Sequence, residues 1–409
     1  MPGGLAEPDG VQETALQTPA LAPVPIRERP VAPSEVSVRV LDTTEAFAAL
    51  APDWNRLHAE TALASVFTSW IWQYQWWQVY GRGQPLRLLV AYEGTEVIGI
   101  LPLHVHTTSV LGVRVRLLRL VGTGGDTNPD DLGPLLAARC PERAAAELAR
   151  AALALPGADL LLLTDLPPDS PLAGAVQRAA SGAGRPSVTG LCQPIAFVRL
   201  PPTWDEYLKS LSSHHRSGIR YKRNKLAKGH GARFFVWNDA ANLDAAFDRL
   251  AELHNKRWQA SGGSESFASA QYLEFHRRVM KACLPRGWLR LYCLEVDGEL
   301  AAMSYCYRFR NTIFCMQQGF DPGKGKLKVG NVLFSHLFEH AIAEGNQAFD
   351  FLRGEHEYKE QFSSDQRETR CVWVFRGTPG ALAYRLRWVW LPLLKARLQR
   401  RPPPKLRTE

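Results

Sequence analysis

Asp350, Arg353, Glu355, His356, Tyr358 and Lys359 stand close together in the run DFLRGEHEYK. A carboxylate at the end of a strand can take a proton from an incoming amine or hydroxyl, which makes Asp350 a candidate general base. It reads equally as a structural acid paired with Arg353 or with a backbone amide. Arg353, Glu355 and His356 follow in a loop, where substrate contacts tend to lie. Lys359 is either part of this chemistry or an ion-pair partner of Asp350 or Glu355. Some twenty residues upstream, GKGKLKVG (Gly323–Gly330) sets Lys324, Lys326 and Lys328 into a glycine loop. Such a loop entering a helix offers free backbone N–H groups and the positive end of the helix dipole, a cradle for a phosphate or pyrophosphate. The alternative is an exposed, merely soluble turn. Neither G-x-x-x-x-G-K-[ST] nor a strand-borne G-x-G-x-x-G is present in this stretch, so a P-loop or dinucleotide fold is a poor reading.

The elements that must position these groups are legible on either side. TIFCMQQGF is an apolar run of strand composition, closed by the turn signal Asp321–Gly323. In NVLFSHLFEHAIAEG, Leu333, Leu337 and Ala341 recur every fourth residue beside Phe334, Phe338 and Ile342, which predicts a helix ending at Gly345. A short strand follows over Ala348–Leu352. Its alternation places Asp350 and Leu352 on one face and Phe349, Phe351 and Arg353 on the other.

Strand, basic glycine loop, helix and strand, with GFDP, GNVL and DFLRGEHEYK in that order, resemble the catalytic half of GNAT-type acyltransferases. More narrowly they resemble the cellulose-biosynthesis acetyltransferase-like (CelD-like) subfamily related to Fem-type peptidyltransferases. The resemblance covers about Val36 to Arg376. It implies acetyl-CoA or another acyl-CoA as co-substrate and no metal. The acyl chain would lie between the splayed strands on either side of the loop and helix. Backbone N–H groups from Met316 to Gly319 would polarise the thioester carbonyl, with Gln318, Gly319, Gly330 and Asn331 joining the three lysines in holding the donor. It also implies that Tyr358, the one tyrosine in this region, protonates the departing thiolate. The helix carrying His254 and Trp258 would border the acceptor site, although the two side chains extend the apolar face of Leu243, Phe247 and Leu250 and read as core before they read as ligands.

The first half of the chain echoes the second. LRLLVAYEGTEVIG aligns with LRLYCLEVDGELAA, so that Glu96 and Glu299 correspond at a separation of 203 residues. Each is a strand, a polar turn and a second strand, followed by a third strand, a glycine loop and a helix. The expected architecture is therefore α/β: two tandem GNAT-like domains, each a mixed β-sheet flanked by helices. Boundaries fall at 1–35 (a disordered Pro/Ala-rich leader), 36–200 (a first domain degenerate for CoA), 201–380 (the catalytic domain) and 381–409 (a basic aromatic tail). The first-half loop Gly122–Gly133 contains Asp126, Asp130 and Asp131 and no lysine. It would repel a pyrophosphate, and Asp126 and Asp131 are assigned to the acceptor instead.

Composition bounds the rest. The 409 residues are 45% hydrophobic and 22% charged, with seven scattered cysteines and no CxxC. That excludes a disulfide framework and a zinc knuckle and fits a reducing cytoplasm. No window is long enough for a membrane span. The formal charge of +9 favours anionic partners. His214–Arg233 holds seven Lys/Arg and no acid, and reads as a solvated linker helix rather than a nucleic-acid-binding one. Arg216 and Arg220 would face an anionic substrate across the interdomain cleft. Trp70, Trp72, Trp76 and Trp77 form a dense aromatic run, a core face in preference to a sugar-stacking one. The tail Tyr384–Arg407 combines tryptophans, leucines and eight Lys/Arg with no acid; it either meets an anionic membrane at the inner face of the plasma membrane or docks on the domain, and Pro392 should break it. The function expected is acyl transfer from acyl-CoA to an amine or hydroxyl on a saccharide or peptide acceptor in exopolysaccharide or cell-envelope synthesis. The alternatives are a Fem-type peptidyltransferase using aminoacyl-tRNA, disfavoured by the lack of that family's paired-helix arm, and a non-catalytic scaffold of a polysaccharide synthase.

Overall fold

β-branched and leucine-rich runs form strands, and alanine-, leucine- and glutamate-rich runs form helices, in an order that occurs twice. The computed structural model describes residues 35–400 apart from 125, 128, 260–265, 355–358, 360–361 and 363–364. The leader expected over residues 1–35 falls outside them but for its last residue. In the first half, β1 (Val36–Leu41), α1 (Thr44–Ala49), α2 (Ala51–Glu60) and α3 (Trp70–Tyr80) precede β2 (Leu86–Glu93), β3 (Glu96–Val110), β4 (Val113–Leu120) and the two-residue β5 (Leu135–Leu136). Then come α4 (Pro141–Ala154), β6 (Leu160–Leu166), α5 (Pro171–Gly182) and β7 (Ser187–Arg199). Two helices, α6 (Trp204–Ser210) and α7 (Ser213–His230), lead to the second half. There β8 (Arg233–Trp237), α8 (Leu243–Gln259), α9 (Ala270–Cys283), β9 (Leu289–Val296), β10 (Glu299–Phe309) and β11 (Thr312–Phe320) precede α10 (Val329–Ala343), β12 (Ala348–Asp350) and β13 (Asp365–Phe375).

The hairpin β2–β3 and the hairpin β9–β10 start and turn at positions that correspond under the same 203-residue shift, closing on Glu93–Glu96 and Val296–Glu299. The fold is mixed α/β and tandem, as expected, with one addition. The strand order is β1-β2-β3-β4-β6-β13-β7-β12-β11-β10-β9-β8, so each half gives its last strand to the other. β13 pairs with first-half β6, and β7 pairs with second-half β12. The two exchanged strands lie antiparallel at the middle of the sheet. Each therefore pairs across to the other half, and the exchange joins the two halves into one continuous sheet.

The tryptophan run is helix α3, and it is core. Trp72 and Trp76 are fully buried, and Trp72 meets Phe275 of α9 edge-on at 4.9 Å and Tyr307 of β10 at 5.8 Å. The helix thus packs the first half against the second; large apolar side chains buried this fully contribute about 1.5–3 kcal/mol each. After β13 the chain forms a helix in three parts, Pro379–Arg385, a π turn over Leu386–Trp390, and Leu391–Leu398. Pro392 does not break it. The proline stands in the first turn of the last part, where the preceding π turn already displaces the bonding its ring would disturb. Among the described residues no helix is long and apolar enough to cross a membrane.

Candidate active site

β11 and β12 run parallel for only three residue pairs, Thr312–Phe314 against Ala348–Asp350. Beyond Phe314, β11 continues to Phe320 with β10 on its other edge, while β12 turns away. Among the described residues the backbone of Cys315–Gly319 therefore has no strand beside it on the β12 side, which leaves a gap there. Gly319 cannot be anything larger, because a Cβ there would lie 2.4 Å from the backbone nitrogen of His254 and 2.7 Å from the carbonyl carbon of Leu253. α8 sits directly on the strand at this point. Gly319→Ala is expected to push α8 away, lowering stability by about 1–3 kcal/mol and weakening ligand binding in the gap. Unchanged denaturant unfolding would refute the close packing.

The loop after β11 is a 3-10 turn over Pro322–Leu327, with the Asp321 side chain accepting from Gly323 N–H at 2.9 Å. Lys328 then takes a left-handed conformation (φ 55°) as the residue before α10, and its own side chain makes no capping bond to that helix. The three loop lysines do not act together. Lys324 Nζ donates to Val296 O at 3.1 Å and lies 3.4 Å from Asp297, tied to the β9–β10 turn, while Lys326 and Lys328 are exposed. The cations on the other side come from α7, which was read as a linker. A pocket at the α10 N-terminus is lined by His214, His215, Gly218 and Lys222 of α7 and by Asn331 and Ser335 of α10. Arg216 and Arg220 are on that helix but outside the pocket lining.

Behind the gap lies a buried ionic network. Asp350 is 4% exposed; one carboxylate oxygen accepts from Leu352 N–H at 2.7 Å and the other from Arg367 Nε at 2.7 Å. Arg367 also grips Asp131 through two parallel bonds, both 2.7 Å. Leu352 has a left-handed φ of 55°, which ends the strand alternation. Arg353, expected on the face opposite Asp350, instead enters the same network. Its backbone N–H and Nε bond Asp130 at 2.8 and 2.9 Å, and Nη2 pairs with Asp165. Lys359 is 4% exposed and donates to the carbonyls of Phe351, Leu352 and Arg353 at 3.2, 2.9 and 3.0 Å. Its three protons hold that turn, and it makes no ion pair with Asp350. Burial lowers its pKa; burial pushes Asp130 up and Asp131 up to about 6, against the pull of their arginines. Glu355, His356 and Tyr358 lie outside the described residues.

On the α8 side of the gap, His254 is 1% exposed, its ring tilted against that of Phe267 at 4.6 Å, and its Nδ1 has no hydrogen-bond partner among the described residues. Burial holds its pKa down at about 4, against the side chains of Asn255 and Gln317. Half-buried Trp258 lies 6.1 Å away, with Arg257 over its ring. Gln317 Nε2 donates to the Tyr272 hydroxyl at 3.1 Å. Burial raises the Tyr272 and Tyr80 hydroxyls, and the charge of Asp126 adds to both shifts. Asp126 thus lies near Tyr80 of the first half and Tyr272 of the second, whereas Asp131 is held by Arg367. Gln318 is half-buried.

The sequence reading left out Arg367, Asp165, Tyr272, Gln317 and the α7 lining. Only Asp165 carried a signal, as a lone acid in the otherwise apolar run LLLLTDL.

A splayed strand pair, a helix below it and a basic pocket at the helix N-terminus all fall in one segment. Residues 213–360 match the acetyltransferase (GNAT) domain family. The second half therefore carries a GNAT acyltransferase-type domain. The fold is similar to that of a FemX crystal structure, with a TM-score of 0.56 at 10% identity, covering 86% of this chain and 99% of that one. It is also similar to the C-terminal domain of a putative lysylphosphatidylglycerol synthetase from Agrobacterium fabrum, with a TM-score of 0.50 at 12% identity over 83% and 95% of the two chains. No curated protein sequence matches the chain.

Proposed function

We propose that the GNAT domain transfers an acyl group from an acyl-CoA to an amine or hydroxyl acceptor, in exopolysaccharide or cell-envelope synthesis. The observation that carries the donor half of this reading is the gap beside β11, opening above the α10 N-terminus, to which Lys328 makes no side-chain capping bond. The pyrophosphate would take the N–H groups of Val329 and Gly330, with Lys222 and Lys328 supplying positive charge. The thioester would extend along Cys315–Gly319, whose N–H groups on the gap side would stabilise the oxyanion. The acceptor nitrogen or oxygen forms the new bond to the carbonyl carbon, the carbon–sulfur bond breaks, and the acceptor proton ends on the thiolate. The Fem-like and CelD-like resemblance supplies Tyr358 as the acid at sulfur. Asp350, with both oxygens engaged, serves this scheme by fixing the 350–353 turn. The acceptor would enter from the side of Asp126, Tyr272 and Gln317, between the halves.

Calorimetric titration with acetyl-CoA and longer acyl-CoAs tests the donor site. Lys222→Ala/Lys328→Ala is expected to weaken binding at least about tenfold, since charge-assisted contacts contribute about 1.5–3 kcal/mol each. Equal affinity in wild type and variant would sink the α7–α10 site.

A second reading rests on the exposed cations Arg220, Lys225 and Lys228 of α7, on the helix that lines the donor pocket. They could track the backbone of an aminoacyl-tRNA whose ester occupies the same gap. Acyl-CoA inertness together with ribonuclease-sensitive transfer would favour it.

A further inference from the structure

The helix that ends the described chain has two unlike faces. Ala381, Tyr384, Val389 and Ala396 are buried, most of them in a cluster with residues of β4, β6 and β13. On the other side Leu382, Leu386, Trp390, Leu394 and Leu398 recur every fourth residue and are 57, 38, 41, 54 and 76% exposed. In an α-helix a four-residue spacing drifts by about 40° per step, which would carry such a row round the helix. The π turn over Leu386–Trp390 winds more loosely and takes back part of that drift. The row stays together.

Exposed rows of large apolar side chains mark an interaction surface, and the charges beside this one indicate its partner. Arg387, Lys395, Arg397 and Arg400 are exposed along the same helix. No aspartate or glutamate occurs from Thr369 to Thr408. We propose that this helix seats the protein on an anionic phospholipid bilayer. It lies in the plane of the surface, with the leucine and tryptophan row at the acyl boundary and the arginines and lysine at the lipid phosphates. A tryptophan within the row suits that boundary, where an amphipathic ring is half wet. A second copy docking through the same face would bring two sets of uncompensated cations together, so the charge pattern selects a lipid surface over a homodimer. No described helix can cross the bilayer, which leaves surface attachment. The inference is independent of the donor chemistry proposed for the GNAT domain.

The test is co-sedimentation of the full chain with phosphatidylglycerol/phosphatidylcholine vesicles and with pure phosphatidylcholine vesicles. Leu386→Ser/Leu394→Ser and Arg387→Gln/Lys395→Gln/Arg397→Gln are run beside the wild type. All five positions are exposed, so circular dichroism and thermal unfolding should match the wild type and report intact folding. Wild type is expected to sediment with the anionic vesicles and not with the neutral ones. Each variant should bind at least about tenfold more weakly, and added salt should weaken the wild type. Absence of wild-type binding to the anionic vesicles would overturn the proposal. So would equal binding by both variants, or self-association without lipid that the leucine substitutions abolish while vesicle binding stays absent.

Discussion

Arg367→Ala is expected to destabilise the folded chain by about 3–5 kcal/mol, because it leaves two carboxylates buried without their partner. Arg367 carries Asp350 on Nε and Asp131 on its two terminal nitrogens. The loss has a pH signature. Burial already holds Asp131 up at about 6, and without Arg367 its folded pKa would rise further above the unfolded value. A group raised in this way leaves stability intact below the unfolded pKa and takes it away as pH climbs through the folded pKa. The difference between variant and wild type should therefore be small near pH 4 and grow toward pH 8. Denaturant unfolding at both pH values measures it, and a difference independent of pH would refute the ionic account. Asp131→Asn/Arg367→Met should cost clearly less than the two single changes added together, since the Asp131 carboxylate is then removed with its partner and only Asp350 loses its arginine.

Lys359→Met should cost about 3 kcal/mol and also slow acyl transfer. Removing the ammonium strands three buried carbonyls, those of Phe351, Leu352 and Arg353, and unsatisfied buried acceptors cost about 1–3 kcal/mol each before relaxation. The turn they belong to aims Arg353 at Asp130 and Asp165 and follows directly on Asp350. A lysine acting only in proton transfer would behave differently: the methionine variant would keep wild-type unfolding and lose turnover alone. Measuring both on one preparation separates the two roles.

The helix carrying His254 and Trp258, the strand pairs related by the 203-residue shift, and the strand–loop–helix order around Gly323 were all legible in the sequence. Periodicity and turn chemistry are local properties, expressed wherever a segment can bury its apolar face. The resemblance of GFDP, GNVL and DFLRG pointed to a GNAT domain for the same kind of reason: these residues make their conformations within a few positions of each other. Lys324 shows where locality stops. Its place in the loop suggested a phosphate ligand, and only the fold brings the Asp297 turn close enough to take it.

The partners of the ionic network lie far apart in the chain. Arg353 and Asp130 are separated by 223 positions, Arg367 and Asp131 by 236. With 49 cationic and 40 acidic residues available, nothing in the order of residues selects those pairs. They follow from the exchange of β7 and β13 between the halves, which carries Arg367 beside the first-half acidic loop. The sequence by itself determined the elements, the tandem repeat and the GNAT-like character of the segment from Thr312 to Asp350. Only the tertiary structure decided which charges are spent on holding the turn after Asp350 and which face the gap, because burial and long-range pairing, not residue type, set the free energy of each.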